Sequence, residues 1–368
     1  MQNIIKLDFH DTERAIDLLF KARMSGIIYS PPGQGKTSMM KQYAHKQGPD
    51  YGLFELNCSL ANLPDYMGWF YKCEETYADF DGNDVTIQNG KYTFPYWWFD
   101  KQTHRPLFQY KRGLIVYEEY GQCDPDLKKA LGQSTLERRV GNMQLPDGFD
   151  IVMLSNYQGG RDAVTRDFDF MINRRGELHM QQTPDSSIVY MHSQDYLPMT
   201  MAFAQIPQHK VFDGEAPKDQ GPFLTPRSLE GLDKLMKVVI DSKTPIDDPL
   251  VRVTAQGIVG SGAAHQYIAF AALRDKIPSV AQIIKDPSGT RVPDQADQRM
   301  FLVFNMADAA EKANIKPLVE YMGRLPSDMA VAFYRNALLR DKTLMQCREF
   351  GDWAVANKQL LAVVNSRV

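Results

Sequence analysis

The sequence predicts an α/β fold, a parallel sheet flanked by helices, followed by a separate α-helical C-terminal region. Three observations predict it. The apolar run Gly26-Ile27-Ile28-Tyr29 leads into a turn rich in glycine and proline, and then into the helix-forming stretch Ser38–Ala44. A second apolar run, Gly113-Leu114-Ile115-Val116-Tyr117, ends in the paired carboxylates Glu118 and Glu119. From about residue 185 onward the pattern becomes helical, broken by turns that carry Pro and Gly. Short, continuously apolar strands alternating with helices are the pattern of a parallel sheet covered on both faces.

Composition bounds the reading. The chain has 368 residues, with 43% apolar and 24% charged residues and a formal net charge of −3. That length gives room for about two to three domains, and the acidic balance offers no global basic surface for nucleic acid. The four cysteines, Cys58, Cys73, Cys123 and Cys347, show neither C-x-x-C pairs nor zinc spacing. They read as buried thiols in a reducing compartment. The N-terminal residues lack the apolar stretch of a signal peptide, and no apolar run is long enough to span a bilayer. The expectation is a cytoplasmic protein.

Taken in order, Asp8 to Met24 reads as a leading helix, capped by Asp11 or Thr12 and striped by Ala15, Ile16, Leu19 and Phe20. Next comes Ser30-Pro31-Pro32-Gly33-Gln34-Gly35-Lys36-Thr37, set between a strand and a helix, the context a phosphate-binding loop requires. Glycines let backbone N–H groups turn inward around phosphate oxygens, and the helix N-terminus adds its positive dipole end. Pro32, Gly33, Gln34, Gly35, Lys36, Thr37 and Ser38 are therefore the expected nucleotide-binding set, with Lys36 on the terminal phosphates and Thr37 on Mg²⁺. Ser30 stands where the full pattern has its first glycine. It is small, and the turn is expected to survive. The leading helix then reads either as core or as a neighbour of the base.

Leu53–Asn57 is a second strand. Residues 63–111 form an aromatic-rich insertion, with a hairpin signal at Asn89-Gly90. The insertion reads either as a partner-facing or pore-facing element or as a satellite core. Stacking on single-stranded nucleic acid is a less favoured alternative. Gly113–Glu119 has the shape of a Walker B strand. Glu118 would support the metal where Asp is usual, and Glu119 would polarise the attacking water. A helix over Pro125–Glu137 and a hairpin turning near Gly141-Asn142 follow. The buried strand Asp150–Asn156 then sets Asn156 outside a strand carboxyl end, where ligands bind in such sheets. Arg161, Arg166, Arg174 and Arg175 crowd the next segment, read either as a solvated charge run or as an arginine finger at Asn173-Arg174-Arg175. Glu177–Met180 is the last core strand.

The C-terminal region carries helices at Ser187–Gln194, Pro198–Gln205, Leu229–Asp241, Asp248–Ile258, Ala263–Arg274, Val280–Asp286, Gln295–Ala313, Pro317–Met322, Ser327–Leu339 and Asp352–Val364. Thr225-Pro226-Arg227-Ser228 opens one of them. The glycines of Gly257–Gly262 read as tight helix packing. The division expected is a nucleotide-binding core over 1–183 and a helical lid over 184–368.

With these motifs in order, the chain resembles AAA+ ATPases of the MoxR type, including MoxR-like ATPases of bacteria and phages. Ser30–Thr37 resembles the family's GPPGxGKT, and Gly113–Glu119 its GhhhhDE. Leu136–Gly141 with Leu145–Phe149 resembles the segment leading to its pre-sensor hairpin. Asn156 matches sensor 1. Met171-Ile172-Asn173-Arg174 is similar to L-x-N-R-F, with Arg175 in the aromatic's place. Thr225-Pro226-Arg227 is similar to the sensor 2 motif. The resemblance implies ATP and Mg²⁺ as cofactors, a homo-oligomeric hexameric ring, and Arg174 completing a neighbour's site while Arg227 serves its own. It also implies a von Willebrand factor A-domain protein as partner and a chaperone-like remodelling role. A nucleic-acid motor and a weakly hydrolysing ATP-binding scaffold are the alternatives.

Overall fold

A computed structural model describes residues 4–157, 164–214, 217 and 220–356. The chain divides into two compact units, Met1–Gln181 and Gln182–Val368.

The first unit opens with β1 (Lys6–Leu7), α1 (Phe9–Lys21), β2 (Ser25–Ser30), α2 (Lys36–Lys46) and β3 (Tyr51–Asn57). It continues with α3 (Leu63–Met67), the hairpin strands β4 (Phe70–Ala78) and β5 (Asp84–Tyr92), and β6 (Arg112–Glu118). Then follow α4 (Pro125–Glu137), β7 (Arg139–Val140), β8 (Met143–Gln144), β9 (Phe149–Asn156), α5 (Asp169–Ile172) and β10 (Arg175–Met180). Six strands form one parallel sheet in the order β1-β10-β2-β9-β6-β3.

Strand periodicity sorts the apolar side chains to two faces. Ile28, Leu114, Val116, Val152 and Leu154 pack with Ile16 and Phe20 of α1 and Met39, Met40 and Tyr43 of α2. Their sequence neighbours Ile27, Ile115, Tyr117, Ile151 and Met153 pack on the other face with Leu127 and Leu131 of α4. Both faces are buried, which is why these strands read as unbroken apolar runs.

The inner part of the aromatic insertion belongs to the second of these cores. Tyr66, Trp97, Trp98, Leu107 and Tyr110 are buried there, and Trp97 Nε1 donates to the Tyr66 carbonyl at 3.0 Å. The outer part, β4 and β5, is an exposed two-stranded antiparallel ribbon. It turns at Asp79–Asn83, not at Asn89-Gly90. The Asp79 carboxylate accepts from the backbone N–H groups of Asp81 and Asn83, and Gly82 takes φ +86°. Asn89 and Gly90 lie within β5. The Phe70 ring lies across Gly90, where a Cβ would stand, so any larger residue there would have to turn that exposed ring aside.

Other sequence expectations shift. The N-cap of α1 is Asp8, whose carboxylate accepts from Asp11 N–H at 2.9 Å, in place of Asp11 or Thr12. The helix ends at Lys21, and Arg23 closes it at φ +58°. Strand β1, too short to give a periodic signal, extends the sheet edge beside β10. Strand β10 begins at Arg175, so that residue is part of the sheet and not of the preceding turn.

The second unit is helical among the described residues: α6 (Pro184–Ser193), α7 (Pro198–Gln205), α8 (Pro226–Asp241), α9 (Pro249–Val259), α10 (Ser261–Ala271), α11 (Val280–Lys285), α12 (Ala296–Asp308), α13 (Ile315–Met322), α14 (Ser327–Arg340) and α15 (Arg348–Ala356). Prolines at first-turn positions and Thr183, Thr225 and Asp248 as N-caps start α6, α8 and α9. Helix α12 serves two cores at once. Its Phe301 and Phe304 join Phe203, Tyr267 and Phe270, while Leu302, Val303 and Met306 join Leu318, Tyr321 and Phe333. Gly260 sits at the α9–α10 corner with φ +83°. Gly257 and Gly262 face open space, so tight helix packing does not explain them. Residues 357–364 of the expected last helix lie outside the described residues.

Candidate functional site

The carboxyl ends of four neighbouring strands build the site. In the sheet register Ser30 of β2 lies beside Asn156 of β9, and Asn57 of β3 beside Glu118 of β6. The loop after β2 turns through two left-handed glycines, Gly33 at φ +73° and Gly35 at φ +83°, conformations that only glycine adopts cheaply. Gly35 is also the N-cap of α2, and no side chain caps that end. That end is the positive end of a helix whose last turn carries His45 and Lys46. Ser30 ends β2, and its Oγ donates to the Pro31 carbonyl at 2.8 Å. Its place in the extended strand demands no glycine. Pro32 and Gly33 are half-buried in the loop, Gln34 is buried, and Ser38 is exposed on the first turn of α2.

Two contacts join these elements. Lys36 Nζ donates to Asn156 Oδ1 at 2.7 Å and to Ser30 Oγ at 3.0 Å. Thr37 Oγ1 donates to Glu118 Oε2 at 2.7 Å. The other carboxylate oxygen of Glu118, Oε1, is buried and has no hydrogen-bond partner among the described residues. Burial pushes the Glu118 carboxyl above the usual carboxylate range. The Thr37 hydrogen bond opposes that shift, and the nearby charges of Glu55 and Glu119 add to it. A hydroxyl and a carboxylate with an orphaned buried oxygen fit a hard divalent cation such as Mg²⁺, which takes few protein ligands and completes its shell with phosphate and water. Glu55 itself is buried, and Lys41 and Lys101 each pair with it at 3.2 Å.

Glu119 is half-buried and left-handed, at φ +52° and ψ +34°, before the short turn Tyr120–Gln122. A glutamate in this region is strained, and such strain is concentrated where function requires it. Arg174 is exposed between α5 and β10, with its N–H donating to the Met171 carbonyl at 3.2 Å and no ion pair among the described residues. Arg166 is exposed as well, while Arg161 lies outside the described residues. Arg227 belongs to the other unit, exposed on the first turn of α8.

One buried cluster escaped the sequence reading. The Asp167 carboxylate receives Lys128 Nζ at 2.9 Å and pairs with the Arg175 guanidinium, and all three side chains are nearly inaccessible. Burial works against the Asp167 charge. The two cations outweigh it and hold the carboxyl below its usual range. Tyr29 Oη donates to Asp167 Oδ2 at 3.3 Å, and Arg175 donates to the hydroxyls of Tyr29 and Tyr120 at 3.3 Å each. The available signal was Lys128, a lysine on the apolar face of α4 beside Leu127 and Leu131.

The strand, two-glycine loop and helix, with Lys36 and Thr37 each bonded to a strand-end side chain, sit at the carboxyl edge of a parallel α/β sheet. No protein-family model matches the sequence, and no curated protein matches it. Among solved structures, the chain is similar to the Thermotoga maritima RuvB Holliday junction branch migration motor, at 12% identity over 90% of this chain and 87% of that one, TM-score 0.38. It is similar to NtrX from Brucella abortus in complex with ADP, at 12% identity over 97% and 70%, TM-score 0.37. It is also similar to a putative ATPase from Cytophaga hutchinsonii, at 10% identity over 98% and 89%, TM-score 0.30.

Proposed function

We propose that this protein is an AAA+ ATPase of the MoxR-like type, which hydrolyses ATP in a ring of identical subunits and uses the energy to remodel a protein partner. The observation that carries the reading is the pair of contacts Lys36–Asn156 and Thr37–Glu118 at the carboxyl edge of the sheet, beside the orphaned Glu118 Oε1.

In this reading the amides of Gly33 to Ser38 and the ammonium of Lys36 receive the β and γ phosphates. Thr37 and Glu118 would hold a magnesium ion, which would supply charge neutralisation at the phosphate oxygens. Glu119 accepts a hydrogen bond from water and aims its oxygen at the γ phosphorus. As the new P–O bond forms, the bond to the β–γ bridging oxygen breaks, and the water proton passes toward the carboxylate. Asn156 holds Lys36 and contacts the γ phosphate. Arg174, exposed and unpaired among the described residues, stabilises the charge in a neighbouring subunit's site. Arg227 enters by resemblance alone, as the arginine acting in cis, and so does a von Willebrand factor A-domain partner.

The exposed ribbon favours a protein client over nucleic acid. Residues 70–92 carry five carboxylates, Glu74, Glu75, Asp79, Asp81 and Asp84, against Lys72 and Lys91. Their field repels a phosphate backbone. No helix among the described residues is long and apolar enough to cross a membrane.

The test is ATP turnover per subunit against protein concentration, with Glu119→Gln and Arg174→Ala alongside. Turnover that rises with concentration and is lost in both variants supports the ring ATPase. Background turnover at every concentration, with ATP still bound, reduces the protein to a nucleotide-binding scaffold.

A further inference from the structure

Three residues of the cluster around Asp167 are immediate chain neighbours of residues assigned to the nucleotide site. Tyr29 precedes Ser30 of the phosphate loop, Tyr120 follows Glu119, and Arg175 follows Arg174. All three hydroxyl or guanidinium groups converge on one carboxylate or on each other. Arg175 pairs with Asp167 and donates to Tyr29 and Tyr120, and Tyr29 donates to Asp167. The Tyr120 ring lies under both cations, 4.9 Å from Lys128 Nζ and 5.4 Å from the Arg175 guanidinium carbon.

The segment that carries Asp167 is fixed to the same places. Thr165 N–H donates to the Gly121 carbonyl at 2.8 Å, and Lys128 Nζ donates to the Thr165 carbonyl at 2.9 Å. Tyr120 Oη reaches Met171 Sδ at 3.6 Å, and the Met171 carbonyl accepts the N–H of Arg174. The Glu119 turn and the Arg174 turn are thus joined through one buried network, whose members lose hydrogen-bond partners if one turn moves without the other.

We propose that Asp167, held by Lys128 and Arg175, is a positioning residue that couples a subunit's own phosphate loop and Glu119 turn to the placement of Arg174, which serves the next subunit. This deepens the ring reading and rests on it. The consequence is directional. A subunit with a damaged cluster still binds and hydrolyses ATP when its neighbour supplies a sound arginine, but it is a poor donor of its own.

Mixed rings separate the two roles. An Arg174→Ala subunit keeps a usable site and lacks the arginine, while a Glu119→Gln subunit donates the arginine and cannot turn over ATP. Mixing them should restore turnover, and failure to do so overturns the ring reading beneath the proposal. With that restoration in hand, Asp167→Asn is added to one partner at a time. On the Glu119→Gln donor it should lower turnover roughly tenfold, the order expected when one member of a coupled network is removed. On the Arg174→Ala acceptor the change should stay within about twofold. Equal losses in the two placements, or no loss in either, overturn the proposal, since a merely structural aspartate would damage both alike. Asp167→Asn removes the negative charge from between two buried cations, so Tyr120→Phe provides a second variant. It removes only a hydroxyl, and it should give the same donor-side defect at smaller size.

Discussion

Lys36 and Asn156 stand 120 residues apart in sequence, and their side chains meet at 2.7 Å. The parallel register makes this contact, since Ser30 at the end of β2 lies beside Asn156 at the end of β9. The lysine is thereby held over the strand ends with its charge directed into the loop. Lys36→Ala should weaken ATP binding by about 10- to 100-fold, the equivalent of losing a charge-assisted hydrogen bond of about 1.5–3 kcal/mol. Titration with a fluorescent ATP analogue measures it. Unchanged affinity would remove Lys36 from the site.

Glu118 is a charged group kept under burial, and its carboxyl is raised above the ordinary range. A carboxyl raised by folding contributes stability that is fully present below its unfolded pKa and lost as pH rises through the folded one. At neutral pH the charged form therefore costs stability, so Glu118→Gln should raise the melting temperature while Mg²⁺-dependent turnover is lost. In the unaltered protein, Mg²⁺ affinity should begin to fall on acidification at a higher pH than an exposed glutamate would give. Calorimetric melts and Mg²⁺ titrations from pH 5 to 8 read both effects, and a lower melting point for the variant would contradict the assignment.

Two substitutions at Glu119 separate its chemistry from its strain. Glu119→Gln should keep ATP affinity and slow turnover by about 10²- to 10⁴-fold. Glu119→Gly should be equally inactive and more stable by about 1 kcal/mol, because glycine takes the left-handed backbone without cost. Urea unfolding of the two variants side by side gives the difference.

Arg174 has no ion pair among the described residues and is exposed, so Arg174→Ala should leave the melting temperature and ATP affinity of dilute subunits unchanged. Turnover of the assembled protein should fall by about 10³-fold or more. Equal turnover in variant and parent would show that no neighbour uses this arginine.

The aromatic insertion should respond in two ways. Trp97 is buried and stacked against Tyr66, with ring centroids 5.8 Å apart. Trp97→Ala should cost about 3–5 kcal/mol. Phe80, at the tip of the ribbon, is fully exposed, and Phe80→Ala should change stability by no more than about 0.5 kcal/mol. Denaturant curves decide both. A loss of client-stimulated turnover in Phe80→Ala alone would assign the tip to the partner.

The elements whose signal is local were legible. The strand before Ser30, the two glycines, Lys36 and Thr37, and the apolar run into Glu118 each show themselves within a dozen residues. The helices of the second unit were visible from their periodicity and their prolines. What escaped depends on contacts distant in sequence. The pairing of Asp167 with Lys128 spans 39 positions, and that of Tyr29 with Arg175 spans 146. No spacing rule marks such partners. Arg175 looked like the second half of an arginine pair, yet the strand period turns it inward while Arg174 stays outside. The ribbon turn was misplaced because Asn89-Gly90 is a strong hairpin signal, and the Asp79 carboxylate with Gly82 made a better turn ten residues earlier.

The ribbon closes on itself where it leaves the body. Trp69 N–H donates to Thr93 Oγ1 at 2.9 Å, and Thr93 N–H returns to the Trp69 carbonyl at 2.9 Å. With its two ends already clasped, residues 70–92 are an appendage in the mechanical sense. A few glycines joining Trp69 to Thr93 would bridge the same gap, and loop closure changes only slowly with length. The arm can thus be lengthened, shortened or exchanged without asking the sheet to refold.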